Sequence, residues 1–145
     1  MTNPAGYSGT PLAKKLGIKP GYKIQVFNVP KPYIEFFFDF PESVIIIGSS
    51  ENEKVDFIHI FAATAKELES SFQKAKPNLK SNGALWISWP KKSSKIPADI
   101  DKFYVMKYGL ANGLVDTKVA AIDADWSGHK FVYRLSDRKN QNDYS

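Results

Sequence analysis

The chain predicts an α/β fold, a single domain built on a mostly parallel sheet that closes with a C-terminal antiparallel hairpin. Three observations predict it. Short continuous apolar runs at residues 43–47, 55–62 and 84–87 read as strands covered on both faces, as parallel strands are. Helix-opening signals alternate with those runs, as crossover connections between parallel strands require. At 145 residues with 43% apolar and 14% aromatic side chains, the chain carries enough apolar surface for one core.

The elements follow in order. Thr10 to Gly17 reads as a short helix, with Thr10 as N-cap, Pro11 at the first helical position and Gly17 as a left-handed stop. Tyr22 to Val29 is a strand that alternates and then turns apolar as it enters the core, and Pro30 and Pro32 end it. Tyr33 to Phe40 is read as a short crossover helix closed by Pro41. Ser43 to Ile47 and Val55 to Ala62 are strands, joined by an exposed loop from Ser49 to Lys54. Thr64-Ala65-Lys66-Glu67 is a capping box, followed at helical spacing by Leu68, Phe72 and Ala75, and Pro77 limits that helix. Leu85 to Trp89 is the next strand, and Pro97 is taken to open a helix running toward Gly113. Val115 to Ile122 and Lys130 to Leu135 then pair as a hairpin around Asp125-Trp126-Ser127-Gly128. Residues 1–135 form the domain, and the polar tail 136–145 is expected to be disordered.

Open α/β sheets take ligands beyond the carboxyl ends of their strands. Those ends are Asn28 to Lys31, Ala62 to Thr64 and Trp89 to Lys92, so the expected crevice is lined by Asn28, Lys31, Thr64, Trp89, Lys91 and Lys92. Trp86 and Trp89 are three apart and point to opposite faces, Trp86 to the core and Trp89 to the crevice floor, where indole can stack on a ring. Lys91, Lys92 and Lys95 precede the helix expected at Pro97, which makes an anion site of the strand end or, in the plainer reading, a solvated lysine run. The whole stretch from Ser71 to Ala98 contains Lys74, Lys76, Lys80, Lys91, Lys92 and Lys95 and no acid, in a chain of net charge +5.

The remaining chemistry is sparse. His59 sits between Ile58 and Ile60 and is read as a hydrogen-bonded core histidine, with a crevice-facing role as the minority reading, while His129 is expected to be exposed after a turn glycine. Asp123 and Asp125 form a carboxylate pair better explained by turn chemistry than by acid–base catalysis, and Trp126 is expected to fold back from the hairpin tip. The absence of cysteine removes disulfides and thiolate chemistry, and no histidine–carboxylate spacing suggests a metal. The start lacks signal-peptide character and no apolar run approaches the roughly 20 residues that span a bilayer, so a cytoplasmic protein without membrane contact is expected.

Two resemblances rest on motifs. Ala5-Gly6-Tyr7-Ser8-Gly9-Thr10-Pro11-Leu12-Ala13-Lys14-Lys15-Leu16-Gly17-Ile18-Lys19-Pro20-Gly21, Leu85-Trp86-Ile87-Ser88-Trp89-Pro90-Lys91-Lys92, Gly113-Leu114-Val115-Asp116 and Asp125-Trp126-Ser127-Gly128 resemble a family of small bacterial proteins catalogued as a domain of unknown function, which lends no catalytic residues. More distantly, Leu16 to Ile24 is similar to the entry into the first strand of class I S-adenosylmethionine-dependent methyltransferases, Val55 to Ile60 to their fourth strand and Gly83 to Ile87 to their fifth. That resemblance implies a Rossmann-like, methyltransferase-like sheet. In that family the first strand ends in an acid followed by glycines, because glycine lets backbone approach the cofactor. Here the place reads Phe27-Asn28-Val29-Pro30-Lys31-Pro32, and prolines have no N–H to donate. Glu51 stands where a ribose-binding carboxylate follows the second strand, though a lone acid in a polar loop ordinarily faces solvent.

The leading expectation is therefore a non-catalytic binding or regulatory module with a degenerate methyltransferase-like crevice, taking an anionic small molecule or a protein partner and no cofactor. One alternative is a divergent S-adenosylmethionine-dependent transferase, with that cofactor. Another is a nucleic-acid-binding protein that uses the Lys74–Lys95 run. The terminal hairpin also offers an edge on which a homodimer can form.

Overall fold

A computed structural model describes residues 10–141. Four helices, α1 (Leu12–Leu16), α2 (Ala65–Ala75), α3 (Lys102–Ala111) and α4 (Leu135–Gln141), accompany six strands, β1 (Lys23–Phe27), β2 (Ile45–Ile47), β3 (Val55–Phe61), β4 (Leu79–Pro90), β5 (Leu114–Ala121) and β6 (Trp126–Tyr133). The strands form one sheet in the order β2-β1-β3-β4-β6-β5. β2, β1, β3 and β4 run parallel, and β6 lies antiparallel to both β4 and β5.

Alternation along the strands divides the core in two. On one face Phe27, Ile58, Ile60, Leu85, Ile87 and Trp89 meet Leu68, Phe72 and Ala75 of α2 and Val105 of α3. On the other, Ile24, Phe57, Phe61 and Trp86 are covered by Leu12, Ala13 and Leu16 of α1 and by Tyr33. Trp86 and Trp89 therefore lie on opposite faces, as their spacing predicts. Trp86 is fully buried and its indole Nε1–H donates to the Leu16 carbonyl at 3.0 Å, fastening α1 to the sheet.

Several element boundaries differ from the sequence reading, each for a local reason. α1 is not capped by Thr10: Pro11 is the cap residue, the Asp39 carboxylate accepts from Ala13 N–H at 3.1–3.2 Å, and Gly17 stops the helix at φ 86° as expected. Tyr33–Phe40 holds only one 3₁₀ turn, Tyr33–Phe36, because its rings bury by clustering on Tyr33 rather than along a helical face. β2 is the sheet's outer strand and not covered on both faces, with Ile45 55% and Ile46 43% exposed. α3 starts at Lys102, since Asp101 supplies a side-chain cap to Tyr104 N–H at 2.9 Å that Pro97 cannot. The hairpin turn lies three residues earlier than Asp125-Trp126-Ser127-Gly128, at residues 122–125, because Asp123 Oδ1 accepts from the N–H groups of Asp125 and Trp126 and so lets β6 begin at Trp126. The first part of the tail expected to be disordered is occupied by α4, and residues 142–145 lie outside the described residues, as does Ala5 to Gly9 of the N-terminal motif.

Candidate functional site

The carboxyl ends of β1, β3 and β4 share one rim of the sheet. At the end of β1, Asn28 takes φ 59°, a left-handed conformation that asparagine tolerates better than most residues. Its Nδ2 donates to the Phe61 carbonyl at 2.9 Å and to Ser71 Oγ at 2.8 Å, tying β1 to the end of β3 and to α2. Val29 is half-buried and packs against the apolar layer that contains Tyr33 and Phe61. The sequence reading reaches neither point: it sees only absent glycines and two prolines without N–H groups. Lys31 Nζ lies 4.5 Å from the Phe36 ring centre. Gly48 to Glu51 follow β2 at the same rim, exposed, and the Gln25 amide accepts from Asn78 and donates to the Gly48 and Glu51 carbonyls at 2.8 and 3.1 Å.

At β3 the cap residue Thr64 accepts from Glu67 N–H at 3.1 Å, while Glu67 reaches the Ala63 N–H rather than that of Thr64. The Asp99 carboxylate accepts from Ala65 N–H at 2.8 Å and Asp99 N–H donates to the Ala63 carbonyl at 2.9 Å. These bonds pin the segment after β4 against the start of α2 and separate Thr64 from the space beyond β4.

That space is an open cavity of about 700 Å³ between the end of β4 and the start of α3. Trp89, Lys91, Lys92, Ser94, Phe103 and Tyr104 are among its lining residues. The structure thus brings together Trp89, Lys91 and Lys92 but leaves Asn28, Lys31 and Thr64 outside that cavity. Trp89 is only 7% exposed and forms its base rather than a free stacking surface. Phe103 is 66% exposed and is the ring that stands free at the mouth. Tyr104 donates to Glu69 Oε2 at 2.9 Å, and that hydrogen bond, with some desolvation, raises its pKa.

His59 lies on the sheet's other face. It is fully buried, with Nδ1 at 2.7 Å from the Tyr33 hydroxyl and Nε2 at 2.7 Å from Ser88 Oγ, and its ring stacks on Phe61. Burial lowers its pKa to about 3 and raises that of Tyr33 well above 10, so imidazole and phenol are both neutral at pH 7. The core-histidine reading is the one the geometry matches. His129, expected to be exposed, is instead 3% exposed in β6, because the early turn places it opposite Ile87 within the sheet. Its Nε2 lies 3.1 Å from Asp116 Oδ2 across the β5 bulge, and its Nδ1 is buried without a hydrogen-bond partner.

Asp123 is occupied with the turn and Asp125 accepts from Lys91 N–H at 2.8 Å through its carbonyl. Trp126 folds back as expected, 7% exposed and edge-on to Phe61 at 5.1 Å. The lysine run does not form one face. Lys80, near the start of β4, pairs with Asp56 at 3.0 Å, Lys76 donates to the Asn112 carbonyl, and Lys91 lies just beyond the other end of that twelve-residue strand. Among the described residues no three histidine, aspartate or glutamate side chains converge as metal ligands, and no helix is long and apolar enough to cross a membrane.

No family model and no curated protein matches the sequence, so the resemblance to a domain of unknown function rests on its motifs. Solved structures do match in fold. A SAM-dependent methyltransferase from Aquifex aeolicus has a TM-score of 0.62 at 13% identity, covering 81% of this chain and 85% of its own. Magnesium protoporphyrin IX methyltransferase from Synechocystis PCC 6803, with SAH bound, has a TM-score of 0.53 at 8% identity over 84% and 78% of the chains. Fibrillarin from Methanococcus jannaschii, a pre-rRNA processing protein, has 0.52 at 18% over 80% and 68%. The fold is methyltransferase-like.

Proposed function

We propose that the protein is a divergent S-adenosylmethionine-dependent transferase, a reading the fold likenesses favour over a non-catalytic module. The observation that carries it is Asn28. A residue in the left-handed conformation ends β1 where the related sheets use glycine, and Val29 packs against the apolar layer, so backbone remains accessible at the rim. The Asn28 turn and the exposed Glu51 carboxylate would hold the cofactor, the latter accepting from ribose hydroxyls. When bound, that cofactor supplies an electrophilic methyl group. The cavity beyond β4 is where an acceptor would lie, with Lys91 and Lys92 favouring an anionic one. Pro30 and Pro32 withhold two N–H donors, which predicts weaker binding than a glycine-rich loop achieves.

Calorimetry with S-adenosylhomocysteine tests this reading. Heat fitting one site, abolished by Glu51→Ala, is expected. No heat at about millimolar ligand, a threshold of roughly 4 kcal/mol of binding free energy, would sink it. A second reading has one observation in its favour. The Asn28 amide is already committed to Phe61 and Ser71, which stiffens the rim against a cofactor and leaves the cavity beyond β4 as a binding site in its own right. On that reading nucleotide anions shift the melting midpoint while S-adenosylhomocysteine does not.

A further inference from the structure

A second basic feature lies on the opposite side of the sheet from α2 and α3. Lys14 and Lys15 of α1, with Thr10, face Lys118, Val119, Ala120 and Ala121 of β5 across a groove of about 550 Å³. Lys130 of the neighbouring strand β6 pairs with Lys118 in register, and its Nζ comes within 3.9 Å of the space beside Gly17 at the end of α1. Lys15 Nζ donates to the Ala121 carbonyl at 3.3 Å, so the helix and the strand edge are held together by one of the cations that line the groove.

Three acids on the bordering segments make their hydrogen bonds elsewhere. Asp39 serves the N–H of Ala13, Asp116 is turned to His129, and Asp123 closes the hairpin turn on backbone N–H groups. The cations consequently repel one another. Burial and then Lys118 and Lys91 lower the pKa of Lys15, and burial and then Lys118 and Lys19 lower that of Lys130. Neighbouring ammonium groups on two elements, beside a groove and none of them in an ion pair with a described acid, are the arrangement that neutralising a row of phosphates would relieve. No described aromatic side chain lines the groove, so bases have no platform to stack on and the contact is with backbone charge.

We propose that the groove between α1 and β5, with Lys14, Lys15, Lys118 and Lys130, is a binding site for the phosphate backbone of nucleic acid, sequence-independent and separate from the rim of the sheet. Of the Lys74–Lys95 run, which is divided between the two ends of β4, only Lys91 comes close enough to act on Lys15.

Fluorescence anisotropy with a labelled 20-base-pair duplex at 50 to 200 mM salt tests the proposal. Four neutralised phosphates give a logarithmic slope of about −3.6, hence an affinity loss of roughly 150-fold over that range. Lys14→Glu with Lys118→Glu alters two exposed side chains and should weaken binding more than about ten-fold and reduce the slope by about 1.8. Lys66→Glu with Lys74→Glu makes the same change in net charge on α2, across the sheet, and should leave the slope unaltered. Lys14→Ala with Lys118→Ala, which introduces no new charge, should give the same ordering in smaller measure. Equal losses in the α1–β5 and α2 variants would overturn the proposal in favour of overall charge, and absence of binding at 50 mM would overturn it outright. Binding to vesicles with 30% anionic lipid but not to the duplex would overturn it in favour of a membrane surface.

Discussion

Acidification from pH 7 to pH 5 should destabilise the protein through His59. The imidazole is fully buried between two hydroxyl groups, and its pKa of about 3 in the folded chain compares with 6.5 when exposed. Between those values the unfolded chain binds a proton that the folded chain refuses, so stability falls as pH falls through the window and is complete above it. The limit is about 3.5 pH units at 1.36 kcal/mol each, or roughly 5 kcal/mol. Down to pH 5 the loss is set almost wholly by the unfolded value, because the folded histidine is still neutral there; it comes to about 2 kcal/mol, rising to about 3 at pH 4. That is a large share of the stability of an ordinary domain.

Urea unfolding followed by tryptophan fluorescence at pH 8, 7, 6 and 5 measures this, with His59→Gln as the reference. Glutamine keeps a donor and an acceptor but does not titrate, and it leaves His129 and every carboxylate in place. The variant should be less stable than the parent at pH 8, since Tyr33 and Ser88 lose ideal partners. The gap should then close by about 2 kcal/mol between pH 7 and pH 5. Parallel loss of stability in the two proteins would refute the reasoning, as would a His59 proton resonance that titrates near pH 6.5.

Two further substitutions test the packing and the rim. Gly109 of α3 faces Phe131, and a Cβ there would overlap the ring, so Gly109→Ala should destabilise by about 1–3 kcal/mol despite alanine's better helix propensity; a higher melting midpoint would contradict that close approach. Asn28→Ala must hold φ 59° without the two amide hydrogen bonds, whereas Asn28→Gly loses only the bonds, so alanine should melt below glycine by about 1 kcal/mol, or some 4 °C, and the reverse order would refute the left-handed role.

Legibility followed the range of the interaction. β3 was readable because burial on both faces leaves a nearly unbroken apolar run, and the α2 start because a capping box is local. β4 was read six residues short at its beginning, since Lys80, Ser81 and Asn82 are polar and pair at a bulged, partly exposed stretch. The α3 start and the hairpin turn were misplaced by competition between neighbouring signals: Asp101 outcompetes Pro97 as a cap, and Asp123 closes the turn before Gly128 is reached. In the candidate site, Trp89, Lys91 and Lys92 were legible together because they are contiguous on one strand end. The α1–β5 groove was not, because its lysines are about a hundred residues apart in sequence and meet only through the sheet order.

Asn28 marks the point at which residue identity and backbone conformation part company. Reading the letters alone, the missing glycine argues that the rim cannot receive a cofactor. The backbone there is left-handed all the same, and the asparagine amide is tied to the Phe61 carbonyl and to Ser71 Oγ. Those bonds do structural work that glycine cannot do, because they join β1 to β3 and α2 in a sheet whose outer strand β2 spans only Ile45–Ile47. A short outer strand supports β1 weakly, and a side-chain tie across the carboxyl ends offsets that weakness. The left-handed turn at the rim and the short outer strand are thus connected through one amide, which holds the carboxyl ends of β1 and β3 and the α2 helix together.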